Sequence, residues 1–260
     1  MSHTDGRDGT EGDTAIMLTQ LGIVAAVDIF TGETRWDTVY EQVVVGAPQY
    51  YQPGYLDSRW RNAAPIVSGN TVLAAPFDGK SLFALDLDSG SMLWSYDQQR
   101  LSREMNVEVR TGRRSRDGGL NLLLGADPRR ILLGGSQVAS IECLNGVRNG
   151  PPFRRDWIWP STPMSRSPAG IPVLDKNRVY VPAAQRIVAI ERDTGLVVEE
   201  VPGSMGTGNL LVADGMLFSA SGSRVDARFQ WRAMVERARA ALGGPDARLE
   251  DAATLVRLLL

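Results

Sequence analysis

Histidine and cysteine occur once each in 260 residues, and lysine only twice. The single histidine, His3, lies in a polar leader reading MSHTDGRDGTEGDT. Its isolation removes histidine triads, histidine acid–base pairs and histidine metal clusters from the rest of the chain. The single cysteine, Cys143 in SIECLNG, makes no intrachain disulfide and no CxxC centre. With no His or Lys close in sequence to activate it, it reads as a half-buried strand thiol. Lys80 (DGK) and Lys176 (DKN) sit among turn residues and read as solvated loop tips, which leaves no lysine for Schiff-base chemistry. No apolar run reaches the ~18 residues of a membrane span, and residues 1–14 lack the apolar stretch of a secretory leader. A net charge of −2 gives no basic footprint for general nucleic-acid binding. Arg113, Arg114, Arg116, Arg129 and Arg130 form the one basic cluster, read either as a phosphate or acidic-lipid contact or as an exposed loop.

What is abundant is core-forming material: 43% hydrophobic against 22% charged residues, with 27 glycines and 14 prolines. That composition excludes a disordered polyampholyte, a collagen-like fibre and a disulfide-stapled miniprotein. It suits one large domain or two small ones.

The glycines punctuate a repeat. Four segments superpose without internal gaps: Ala26-Val-Asp28-Ile-Phe-Thr31-Gly32-Glu-Thr-Arg-Trp36, Ala84-Leu-Asp86-Leu-Asp-Ser89-Gly90-Ser-Met-Leu-Trp94, Ser140-Ile-Glu142-Cys-Leu-Asn145-Gly146-Val and Ala189-Ile-Glu191-Arg-Asp-Thr194-Gly195-Leu-Val-Val. Each carries a small residue, an apolar residue, an acid, two variable positions, a small polar residue and glycine. Gly32, Gly90, Gly146 and Gly195 recur at intervals of about 50 to 60 residues, which suits one four-stranded unit plus loops. In such a corner the acid accepts hydrogen bonds from the turn's N–H groups, and glycine supplies the positive φ. Upstream stretches such as Ala64–Gly79, Ala169–Val181 and Leu210–Ser219 read as strand, turn, strand. Short β-branched runs broken by Gly and Pro indicate antiparallel meanders, not helices.

The motif A-x-D-x-x-T-G-x-x-x-W, preceded by V-x-G-x-x-V and D-G, resembles the pyrroloquinoline-quinone-like (quinoprotein-type) β-propeller repeat. The resemblance covers about residues 15–222, with inserts at 37–62 and 97–117. It implies a mainly β fold, a four- to five-bladed portion of an eight-bladed-type propeller of four-stranded antiparallel blades. It also implies that Trp36 and Trp94 are docking residues, wedged flat between neighbouring blades. Copy three has Gly150 at that position, with Trp157 displaced behind NGPPFRRD, and copy four has Glu199.

From Asp226 the pattern changes. Ala227–Leu242 carries Trp231, Val235, Ala238 and Leu242 at helical spacing, Gly243-Gly244-Pro245 closes it, and a second helix from Arg248 carries Leu249, Ala253, Val256 and Leu260. Residues 226–260 are therefore expected to form a helical hairpin of tetratricopeptide-like character, after a disordered polar leader over residues 1–14. With about half the blades of a closed ring, the sequence is expected to be a fragment, or to close with further blades or a second chain.

The function expected from this reading is a non-catalytic propeller scaffold that binds a protein partner, similar to outer-membrane protein assembly factor-type propellers. The insert at 37–62 holds Tyr50, Tyr51, Tyr55 and Trp60, a possible partner surface, although these rings equally suit packing the insert onto the propeller. The alternative is an oxidoreductase related to quinoprotein dehydrogenases that binds pyrroloquinoline quinone. The resemblance ties that activity to an acid, amide and acid set around Ca²⁺, a stacking Trp and in many members a vicinal Cys pair. Asp86, Asp88 and Glu142 are available oxygen donors, but their turn positions already give them a structural task. No Cys-Cys and no Glu…Asn…Asp set is present, so no catalytic, cofactor-binding or metal residue is assigned. The resemblance implies a periplasmic or cell-envelope location.

Overall fold

The computed structural model describes residues 2–3, 13–19, 21–42, 64–107, 119–161, 168, 170–183, 186–202, 209–213, 216–220, 225–229, 235, 239–243, 252 and 256. The chain divides into two compact units. One comprises Met1–Pro168 with Arg192–Gly195, and the other Ala169–Glu191 with Leu196–Leu260.

The first unit holds three four-stranded sheets, each with its strands in chain order. They are β1 (Ser2–His3), β2 (Thr14–Leu18), β3 (Ile23–Asp28) and β4 (Thr34–Val39); β5 (Ile66–Ser68), β6 (Thr71–Ala74), β7 (Ser81–Asp86) and β8 (Met92–Asp97); and β9 (Leu120–Ala126), β10 (Arg130–Gly135), β11 (Val138–Cys143) and β12 (Phe153–Trp159). Neighbouring strands are antiparallel throughout. Within the segment read as a leader, Ser2 and His3 pair with Ile16 and Ala15 and supply the edge of the first sheet.

The inner strands explain why the sequence looks apolar without alternating. β6, β7, β10 and β11 are buried along most of their length. A strand covered on both faces cannot afford an alternating pattern, so TVLA, SLFALD and RILLGG read as near-continuous apolar runs. The outer strand β4 shows the opposite, with exposed and half-buried residues alternating. One core gathers Ile16, Val24, Tyr40, Val72, Phe83 and Leu85 from the first two sheets. Another joins Leu73, Leu82, Trp94, Leu133 and Ile141 from the second and third.

The 97–117 insert feeds this second core through a short helix. Asp97 accepts a 2.7 Å bond from the Arg100 N–H and caps α1 (Gln98–Glu104), and Leu101, Met105 and Val107 are buried.

The second unit holds the four-stranded sheet β13 (Val173–Asp175), β14 (Arg178–Ala183), β15 (Arg186–Glu191) and β16 (Val197–Pro202), and the three-stranded sheet β17 (Asn209–Ala213), β18 (Met216–Ala220) and β19 (Val225–Phe229). Tyr180, Ile187, Ala189, Leu210 and Leu217 form its core. Here the helical expectation starts too early. Asp226–Phe229 belong to β19, pairing in register with Met216–Ser219. The open edge of β18 outweighs the weak helical preference of a few Ala and Arg residues. Beyond β19, Val235, residues 239–242, Ala252 and Val256 are helical. The mainly β reading and the four-stranded antiparallel unit agree with the sequence expectation.

Candidate functional site

The chemistry of the repeat lies in its corners. At the first, Asp28 Oδ1 accepts from the N–H groups of Phe30 (3.0 Å) and Thr31 (2.9 Å), while the Gly32 N–H donates to the Asp28 carbonyl at 2.9 Å. At the second, Asp86 Oδ1 takes the N–H groups of Asp88 (3.2 Å) and Ser89 (3.1 Å), and the Gly90 N–H donates to the Asp86 carbonyl. In the fourth, the Glu191 N–H donates to Leu196 O at 2.8 Å. Gly32, Gly90 and Gly195 take φ values of +74°, +69° and +70°, the left-handed region that a side chain disfavours.

Immediately before each acid the hairpin register slips by one residue. The slips fall between Ala26 and Val27, Ala84 and Leu85, Ser140 and Ile141, and Ala189 and Ile190. This recurrent bulge sets Trp36 opposite Ala26, Trp94 opposite Ala84, Trp157 opposite Ser140 and Glu199 opposite Ala189. Trp157 therefore occupies the position of Trp36 and Trp94, which corrects the expectation that copy three lacks this ring. NGPPFRRD runs from the turn into β12 itself, with Phe153–Asp156 in the strand, so counting from the corner misplaces the tryptophan while strand pairing locates it.

The three rings dock alike. Trp36 Nε1 donates to Leu87 O (2.8 Å), Trp94 Nε1 to Val147 O (2.8 Å) and Trp157 Nε1 to Arg192 O (2.9 Å). Each indole then lies against the glycine three residues past that carbonyl. A Cβ built on Gly90, Gly150 or Gly195 would come within 2.5–2.6 Å of the Trp36, Trp94 or Trp157 ring respectively. Only a bare Cα admits a ring so close.

Copy three thus uses Gly150, not Gly146, as its docking glycine. Gly146 (φ +82°) takes the place of the acid instead, accepting the Gly150 N–H at 3.1 Å. A Cβ there would meet only Pro128 O at 3.4 Å. Glu142, freed from the turn, pairs with Arg154.

Further contacts link each corner to its surroundings in the first unit. Asp86 Oδ2 pairs with Arg148 at 2.7 Å, Asp127 with Arg192 at 2.8 Å, and Arg130 with Asp193 at 3.0 Å. The Arg148 guanidinium, followed by the Ser89 N–H, holds the Asp86 carboxyl below its usual range. Arg35, then the Thr31 and Phe30 N–H groups, do the same for Asp28. Of the basic cluster, Arg129 and Arg130 are described: both donate their N–H groups to Asp127, and the Arg130 side chain is ion-paired.

Cys143 is fully buried, not half-buried, and desolvation, then Asp127 and Glu142, push its thiol up to about 12. Such a thiol is unsuited to nucleophilic work. Tyr50, Tyr51, Tyr55 and Trp60, the possible partner surface, lie outside the described residues. The insert's first aromatic, Tyr40, packs on Phe83 with ring centroids 5.6 Å apart, its hydroxyl 2.7 Å from Asp78 Oδ1.

The described residues do not fit a quinone–calcium centre. Asp86 and Glu142 are committed to arginines, and among the described residues no three His, Cys, Asp or Glu side chains converge to hold an ion. Among the same residues no helix is long and apolar enough to cross a membrane.

The corner-and-ring pattern has relatives of known structure. BamB from Moraxella catarrhalis is 19% identical, with a TM-score of 0.52 over 85% of this chain and 56% of that one. The dihydro-heme d1 dehydrogenase NirN in complex with DHE is 16% identical, with a TM-score of 0.50 over 84% of this chain and 42% of that one. Likeness at these identities speaks for the propeller fold alone, and the chain spans little more than half the length of the first and less than half of the second. No curated protein matches it in sequence. The sequence model described as outer membrane protein assembly factor BamB matches residues 1–148, and with three PQQ-like repeats joined by docked tryptophans the chain belongs to that family of β-propeller proteins.

Proposed function

We propose that the chain is a non-catalytic scaffold that binds a protein partner, in the manner its family's name suggests: assisting the assembly of outer membrane proteins. The observation that carries this reading is the employment of its acids. Asp86 holds a turn with one carboxylate oxygen and Arg148 with the other, and Glu142 is tied to Arg154. A quinone-dependent reading would need these oxygens for a cation. The dehydrogenase neighbour shares the fold, which many chemistries share.

The aromatic insert at 37–62 is the surface we assign to the partner, on the strength of its Tyr and Trp content. Two measurements test the reading. In-cell crosslinking of the full chain is expected to capture envelope-assembly proteins and to lose them when residues 43–62 are replaced by a Gly/Ser segment of equal length. Titration with pyrroloquinoline quinone and Ca²⁺ is expected to leave the visible spectrum the sum of its parts; a tight stoichiometric chromophore would overturn the scaffold reading.

A further inference from the structure

Asn-Gly occurs twice in the sequence, at Asn145–Gly146 and Asn149–Gly150, both in the turn between β11 and β12. An asparagine followed by glycine is a self-reactive pair, because no side chain shields the next main-chain nitrogen from the carboxamide carbon. The two pairs share this chemistry and differ in their surroundings. The Asn149 carboxamide is tethered, its Nδ2 donating to Asn145 O at 2.8 Å. Gly150 is buried beneath the Trp94 ring, which lies 2.6 Å from where a Cβ would stand, and its N–H donates to Gly146 O at 3.1 Å. Asn145 is exposed, and among the described residues its carboxamide makes no hydrogen bond. Gly146 is half-buried, with only Pro128 O near the place of a Cβ. Its N–H donates to Cys143 O at 2.9 Å, the one bond that must open to free the nitrogen. The matching corner positions hold Thr31, Ser89 and Thr194, whose hydroxyl side chains offer no carbonyl carbon to attack.

We infer that Asn145 is a site of spontaneous deamidation whose isoaspartyl product undoes the docking of Trp94. The Gly146 nitrogen attacks Asn145 Cγ. The N–Cγ bond forms, the Cγ–Nδ2 bond breaks, and Nδ2 leaves as ammonia with the Gly146 amide hydrogen. Water then opens the cyclic imide at either carbonyl, giving aspartate or isoaspartate. In isoaspartate the main chain runs through Cβ and Cγ, so an extra carbon enters the turn and the former Asn145 O becomes part of a free carboxylate. That oxygen is the acceptor that holds Asn149. The turn that follows presents both partners of Trp94: Val147 O to the indole N–H at 2.8 Å, and the Gly150 Cα to the ring. Lengthening the turn ahead of them moves both away from the indole. The inference is independent of the scaffold reading.

The test ages the full folded chain in mildly alkaline buffer, with the urea-unfolded chain in parallel, and maps both by peptide mass spectrometry. In the folded chain, conversion of Asn145 to the acid is expected to run at least tenfold ahead of Asn149. In urea, where each is a plain Asn-Gly pair, the two are expected to react at comparable rates. The isoaspartyl form is then separated by chromatography, and exchange of its Trp94 indole hydrogen is expected to quicken at least tenfold. Asn145→Thr, which installs the residue of the first and fourth corners, should age without either change. Asn149 reacting as fast as Asn145 in the folded chain, or Asn145 staying intact there while the unfolded chain reacts, overturns the inference. An isoaspartyl form whose Trp94 indole exchanges at the parent's rate overturns it too.

Discussion

The third and fourth repeats share one strand register before the corner and differ in the side chain it presents. Both carry the bulge before the acid, so Trp157 faces Ser140 and Glu199 faces Ala189 in the same register. Trp157 is nearly buried and donates to Arg192 O, whereas Glu199 reaches Arg178 at 3.5 Å and remains half-exposed. The sheet keeps its register without the ring, which places the register in backbone pairing and turn chemistry. What the ring adds is cohesion beyond its own sheet, through a large apolar surface and one directed hydrogen bond.

The sharpest way to break this contrast is to remove a ring and a carboxylate in parallel. Trp94→Ala should cost about 3–5 kcal/mol of unfolding free energy, because the ring is 8% exposed and packs edge-on against Phe153. Glu199→Ala should stay within about 0.5 kcal/mol, the worth of an exposed ion pair. Urea denaturation of the two variants measures the difference, and equal losses would mean that docking contributes no more than a surface pair.

Next in size is the choice between two glycines. Gly150→Ala drives a Cβ into Trp94 and strains a positive φ, so about 2–4 kcal/mol should be lost. Gly146→Ala meets only strain and should cost about 1 kcal/mol. Thermal denaturation that ranks them the other way would return Gly146 to the docking position.

The smallest effect sharpens the role of the acid. Arg148 and the Ser89 N–H lower the Asp86 carboxyl in the folded chain. The stabilisation is therefore complete above the ordinary carboxylate value of about 3.9 and is lost as pH falls from there through the folded value. Asp86→Asn should be less stable than the parent at neutral pH, with the gap closing toward pH 3. A gap that widens on acidification would give the carboxyl another role.

Much of this was legible in the chain itself. Acid-to-glycine spacing marked the corners, because a tight turn restricts which residues supply a side-chain acceptor and a positive φ. The non-alternating runs marked strands covered on both faces. The third corner misleads because Gly150 lies four positions past Gly146, and a gapless superposition takes the first glycine. Trp157 is hidden by the same insertion, and no fixed spacing marks it: Gly195, the glycine it lies on, is 38 residues on, against 54 and 56 for the other two rings. The strand at Val225–Phe229 escaped because its composition favours helix, and only the partner edge of β18 decides otherwise.

The direction of the docking bonds carries a temporal consequence. Each indole donates to a carbonyl later in the chain, 51 residues on for Trp36, 53 for Trp94 and 35 for Trp157. At ribosomal rates of about 5–20 residues per second, every newly made ring waits seconds for its acceptor to be synthesised. During that interval the nascent chain displays one undocked member of this trio at a time, a moving sticky spot that a chaperone would meet repeatedly as translation proceeds.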